Sequence, residues 1–187
     1  MRLALSLVAA LAMSGAACAQ TPVDTALAAA SPGSPNVSVE TGQALQLKAG
    51  DYGQSSITEL TNDLASTVGK ALARSHSGAP MRVKLVLEDA SPTRPTVAQL
   101  SRDVGLSERS IGLGGAWIDG YVLTADNKQV PISYSFYEND LRDEIGPTMW
   151  SDASRAFDQL AGQLARGEYP NEAPPNVTQQ SFAQWPR

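Results

Sequence analysis

The hydrophobic period of this chain switches from helical spacing to a period of two and back again, and only a fold that packs helices against a sheet can use both. Ile57, Leu60, Leu64, Val68, Ala71 and Leu72 recur at three- and four-residue steps, which predicts an amphipathic helix that stops near Gly78 and Pro80. Ser56 and Glu59 stand at capping-box spacing, so that helix is expected to start there. Met81, Val83, Leu85 and Leu87 then alternate with mostly polar neighbours, as a strand with one face on a core does. A second helical stripe runs through Trp150, Ala153, Phe157, Leu160 and Leu164 toward Gly167 at a left-handed cap position. Asp152, Arg155, Asp158 and Arg166 are expected on its wet face.

Between these segments lies a hairpin, with arms over 115–123 and 130–137 and a turn around Asp126, Asn127 and Lys128. Ala116, Ile118, Gly120 and Val122 share one face of the first arm, leaving Trp117, Asp119 and Tyr121 opposite, while Val130, Ile132, Tyr134 and Phe136 share a face of the second. Pro131 has no backbone donor, which predicts an edge position for its arm. A weaker strand is expected over 44–47, before the first helix. The resulting order, β-α-β-long loop-β-β-α, predicts an α+β fold: a two-layer sandwich of a four-stranded, mostly antiparallel sheet with two amphipathic helices on one face.

The N-terminal residues place one positive charge, Arg2, before a short apolar run that Ser14 and Gly15 interrupt. That run is about half the length of a spanning helix, so residues 1–19 read as a signal peptide, no transmembrane helix is expected, and the protein is placed in the periplasm, with outer-membrane association as a further option. Cys18 has two readings. Ala17-Cys18-Ala19 is a small-x-small cleavage site whose use discards the only cysteine; alternatively Cys18 becomes the acylated N-terminus of a lipoprotein, and membrane contact depends on that lipidation. Ordinary cleavage is favoured, because Gly15 stands where lipoprotein sites prefer Leu. Residues 20–36, rich in Ala, Pro, Ser and Gly, read as a flexible tether, residues 37–169 as a single domain, and residues 170–187 as an irregular tail containing Phe182 and Trp185.

Composition removes several chemistries. With 14 Lys and Arg against 19 Asp and Glu, a formal net charge of −5 and no basic stripe, the chain is not expected to bind nucleic acid. One His and one Cys do not make a protein-only zinc site of the usual kinds. Gly112, Gly114 and Gly115 lead into a strand instead of a helix, and no Lys-Ser/Thr follows, so a phosphate loop is not expected either. No metal and no cofactor is assigned. His76, the single side chain with an ordinary titration near neutrality, reads as a helix cap. Asp119, Asp126, Glu138, Asp140, Asp143, Glu144 and Asp152 offer carboxylates for a glycosidase pair. They fall in turn-like or wet-face contexts, however, and no catalytic residue is assigned among them.

Two regions remain as binding candidates. The connection from Ser91 to Leu113 exceeds the ordinary loop length and carries Arg94, Arg102 and Arg109. Trp117, Asp119 and Tyr121 project together from one side of a strand, an arrangement suited to peptide or glycan contacts. Trp117, Asp119, Tyr121, Arg94 and Arg102 are therefore the candidate binding residues.

The segments Leu85-Val86-Leu87-Glu88-Asp89-Ala90-Ser91-Pro92, Gly114-Gly115-Ala116-Trp117-Ile118-Asp119-Gly120 and Trp150-Ser151-Asp152-Ala153 resemble those of uncharacterised bacterial envelope proteins, many of them lipoproteins, grouped as a domain of unknown function. The resemblance covers roughly residues 45–166 and implies an α+β envelope domain with no assigned activity. The expected function is thus a non-enzymatic, exported cell-envelope module for binding or assembly, with an envelope protein or a cell-wall component as partner. The alternatives are a small cell-wall hydrolase using a carboxylate pair and a subunit of an outer-membrane complex.

Overall fold

The computed structural model describes residues 36–75, 82–124, 126–140 and 148–172. The signal peptide with Cys18, nearly all of the tether, His76, Asp143, Glu144 and the tail beyond 172 lie outside them. The elements in chain order are β1 (Asn36–Thr41), α1 (Gln43–Leu47), α2 (Ala49–Tyr52), α3 (Gln54–Arg74), β2 (Arg82–Ser91), α4 (Val97–Arg102), β3 (Gly115–Leu123), β4 (Gln129–Tyr137) and α5 (Ser151–Ala165). The sheet has the order β1-β2-β3-β4. β1 runs parallel to β2, and the other two ladders are antiparallel, so the fold is the expected α+β arrangement on a mixed, mostly antiparallel sheet.

Alternation explains which side of the sheet is dry. Val83, Leu85 and Leu87 of β2, Ala116, Ile118 and Val122 of β3, and Ile132 and Tyr134 of β4 are buried in one core with the α3 stripe Ile57, Leu60, Leu64, Val68 and Leu72 and the α5 stripe Ala153, Ala156, Phe157, Leu160 and Leu164. Each helix buries the face its period defines. The two helices run side by side in the same direction: Ser154 Oγ donates to Asp63 Oδ2 at 3.3 Å near one end and Ser75 Oγ to the Ala165 carbonyl at 2.9 Å at the other. Gly167, at φ 76°, closes α5. Its N–H donates to the Leu164 carbonyl and that of Glu168 to the Gln163 carbonyl, the Schellman pattern that satisfies the last carbonyls of a helix.

Pro131 does lie on an edge strand. Ser133, two residues on and therefore pointing its backbone the same way, donates its N–H to the Pro170 carbonyl and accepts from the Glu172 N–H, both at 2.9 Å. Residues 170–172 thus clasp the outer side of β4, and the Glu172 carboxylate accepts the Ser135 N–H at 3.3 Å.

Three expectations are corrected. Residues 44–47 are helical, because Leu45 alone enters the core while Leu47 is 81% exposed; the strand beside β2 is the preceding β1. The long helix starts at Gln54 behind Gly53 (φ 87°), without a side-chain cap, so Ser56 lies inside its first turn and the expected capping box is absent. A capping box does form on α4, between Thr96 and Gln99. Asp152, assigned to the wet face of the second helix, is fully buried.

Candidate functional site

The sheet side away from α3 and α5 is built from the residues that alternate against the core. Reading across the strands, Ser38, Lys84, Tyr121 and Pro131 form one row, Glu40, Val86, Asp119 and Ser133 the next, and Asp89, Trp117 and Ser135 a third. Among the described residues no helix covers this face, and Trp117, Asp119 and Tyr121 are half-buried on it. Trp117 Nε1 donates to Asp119 Oδ1 at 2.9 Å, which sets the orientation of the indole. Lys84 pairs with Glu40 at 2.8 Å on the rim, and that partner raises the lysine above its ordinary value.

A bulge alters this face at its far end. The register steps from Leu87 opposite Ile118 to Asp89 opposite Trp117, leaving Glu88 as the extra residue. The phase of β2 inverts there: Asp89, which strict alternation would drive into the core, shares the face of Trp117, and Ala90 takes the buried side. Burial first and Asp119 second hold the Glu88 carboxyl above its ordinary value. Sequence reasoning missed the neighbouring cluster around Asp89, which is only 4% exposed. Lys48 Nζ reaches Asp89 Oδ1 at 2.6 Å, and the Tyr137 hydroxyl lies 3.4 Å from Oδ2. Burial, reinforced by the Asp89 charge, pushes the Tyr137 and Tyr52 phenols well above the ordinary tyrosine range. Both tyrosines are therefore neutral hydrogen-bonding groups at physiological pH. The available signal was the consecutive pair Glu88-Asp89, which breaks an alternating strand pattern.

The 92–114 connection is tied at both ends to the first turn of α5. Asp152 Oδ2 accepts from Thr93 Oγ1 at 3.0 Å and from the Gly114 N–H at 3.1 Å. A Cβ at Gly114 would stand 2.5 Å from Thr93 Oγ1 and 2.8 Å from Asp152 Oδ2, so this close approach requires glycine. The glycine run is thus a packed junction, not a flexible lead-in. Arg155 joins Asp152 to Glu138, lying 3.8 Å from Asp152 Oδ1 and 2.8 Å from Glu138 Oε2.

Arg102 engages Asp51 Oδ1 at 2.6 Å and the Gly50 carbonyl, binding the connection to α2, and Arg94 Nη1 donates to the Glu108 carbonyl at 3.5 Å. The two arginines thus serve the connection, while Trp117, Asp119 and Tyr121 belong to the sheet face. Asp126 takes part in the β3–β4 turn, where the Thr124 hydroxyl lowers its carboxyl below the ordinary value. Among the described residues, no group of three or more His, Cys, Asp or Glu side chains is placed to hold a metal ion. No helix among them is long and apolar enough to cross a membrane. No protein-family model, curated protein or solved structure matches the chain.

Proposed function

We propose that this protein is an exported, non-enzymatic module of the cell envelope that binds an envelope protein or cell-wall component on the sheet face carrying Trp117, Asp119 and Tyr121. The observation that carries the reading is the orientation of the Trp117 indole by Asp119 on a sheet face that neither long helix covers. A held aromatic loses little freedom on binding, and its acidic neighbour supplies an acceptor for peptide or sugar donors. The address rests on the leader-like N-terminus and on the resemblance to envelope proteins. The test is crosslinking in cells followed by recovery of the protein, with Trp117→Ala and Tyr121→Ala compared with the parent. Loss of the crosslinked partner at unchanged thermal stability supports the reading. Retention of the partner with a large loss of stability makes these aromatics part of a core and ends it.

One observation favours a second reading, a small cell-wall hydrolase: Glu88 and Asp119 lie close enough on this face for Asp119 to act with burial in raising the Glu88 carboxyl, the direction a general acid needs. Clearing of purified peptidoglycan by the protein, abolished in Glu88→Gln, would establish it; no clearing by the parent protein would remove it.

A further inference from the structure

The opposite side of the molecule carries a feature that the sheet-face reading does not use. Because α3 and α5 run side by side in the same direction, two depressions fall in line along the furrow between them. The first, about 620 Å³, is floored by Leu60 and Trp150 and walled by Glu59 and Asp63 of α3. The second, about 520 Å³, is walled by Lys70 and Arg74 of the same helix, with Asp158 across from them on α5. Glu59, Asp63, Lys70 and Arg74 are all exposed, and among the described residues none of them is in an ion pair. Asp63 is oriented by the Ser154 hydroxyl, and Arg74 Nε by the Lys70 carbonyl. The furrow is therefore polarised, acidic at one end and mainly basic at the other.

We propose that this furrow docks an extended peptide of about five residues carrying a basic side chain at one end and an acidic side chain at the other. The length follows from the helix: Asp63 and Arg74 are separated by roughly 16 Å of helical rise, which about five residues of extended chain span. The charges choose the ligand's polarity, and Ser66 and Thr67, which line the stretch between them, face the middle of the peptide. Acids early and bases late in a helix also complement its dipole, an arrangement that by itself would recognise no peptide.

The experiment titrates the full-length protein with three blocked pentapeptides and follows backbone amide shifts by NMR. Each has three central alanines, which puts both end side chains on one face of the extended chain; the ends are lysine and glutamate in the first, two lysines in the second and two glutamates in the third. The mixed peptide is expected to shift furrow resonances and to bind about tenfold more tightly than either control, with binding weakened by salt. Glu59→Gln with Asp63→Asn is expected to lower its affinity about tenfold, while Val104→Ser, at an exposed position outside both the furrow and the sheet face, leaves it unchanged. Equal binding of all three peptides, no shifts in the furrow, or an affinity unchanged by the double substitution overturns the proposal.

Discussion

Thr93 and Asp152, 59 residues apart in sequence, exchange two hydrogen bonds: the Thr93 hydroxyl donates to the carboxylate at 3.0 Å and accepts from the Asp152 N–H at 3.2 Å. Both residues are fully buried. With the Gly114 N–H on the same carboxylate oxygen, this pair closes the long connection onto α5. Asp152→Ala strands a buried hydroxyl and a buried N–H, while Thr93→Val strands the Asp152 N–H and takes a donor from a buried carboxylate, so each is expected to cost about 2–3 kcal/mol. Urea denaturation of the two variants checks the size; an Asp152→Ala variant as stable as the parent would refute the staple.

Lys48 and Asp89 should behave as a coupled pair. Removing the ammonium in Lys48→Met leaves an almost fully buried carboxylate without its cation, and a cost of about 2 kcal/mol is expected, below the range for fully buried pairs because the Lys48 side chain is itself one-third exposed. Adding Asp89→Asn should return most of that loss. A double-mutant cycle measures the coupling, and purely additive losses would show that the two groups do not stabilise one another.

Glu88 predicts a pH dependence whose sign is the reverse of the usual carboxylate. Its folded-state value is raised, so the native state disfavours the ionised form; the penalty is absent below the ordinary carboxyl range and grows as pH rises through it. Glu88→Gln should therefore be at least as stable as the parent at neutral pH, with any advantage vanishing in acid. Chemical denaturation at both pH values decides; a variant less stable at neutral pH than in acid, relative to the parent, contradicts the assignment.

Glu172→Pro should open the β4 edge. The substitution removes the N–H that donates to the Ser133 carbonyl and the carboxylate that accepts the Ser135 N–H, and leaves β4 itself unchanged. A stability loss of about 1 kcal/mol is expected, together with concentration-dependent self-association from the exposed strand edge. Sedimentation velocity over a range of concentrations reads this out, and a variant that stays monomeric throughout would show that the clasp does not guard the edge.

Much of this architecture is legible in the chain because burial follows period. The stripes from Ile57 to Leu72 and from Trp150 to Leu164 are the buried faces of α3 and α5, and Trp117, Asp119 and Tyr121 fall on the sheet face that alternation assigns them. The errors arise where tertiary contacts override local pattern. Leu45 and Leu47 alternate like a strand, yet one is inside and the other in water on a single turn of helix. Asp152 has the spacing of a solvated residue, but a connection from elsewhere in the chain lies across it. Asp89 follows a bulge, and one inserted residue reverses the face of everything after it.

The clasp on β4 has a mechanical consequence. The described chain begins in β1 on one edge of the sheet, and residues 170–172 lie along the other, roughly 19 Å away across four strand spacings. A pull between these two positions loads the sheet ladders together with the packing of α3 against β1 and α5. Among the ladders between named strands, the six-residue parallel pairing of β1 with β2 is the shortest. The clasp and that ladder, at the two margins, are expected to part before the longer β3–β4 hairpin between them.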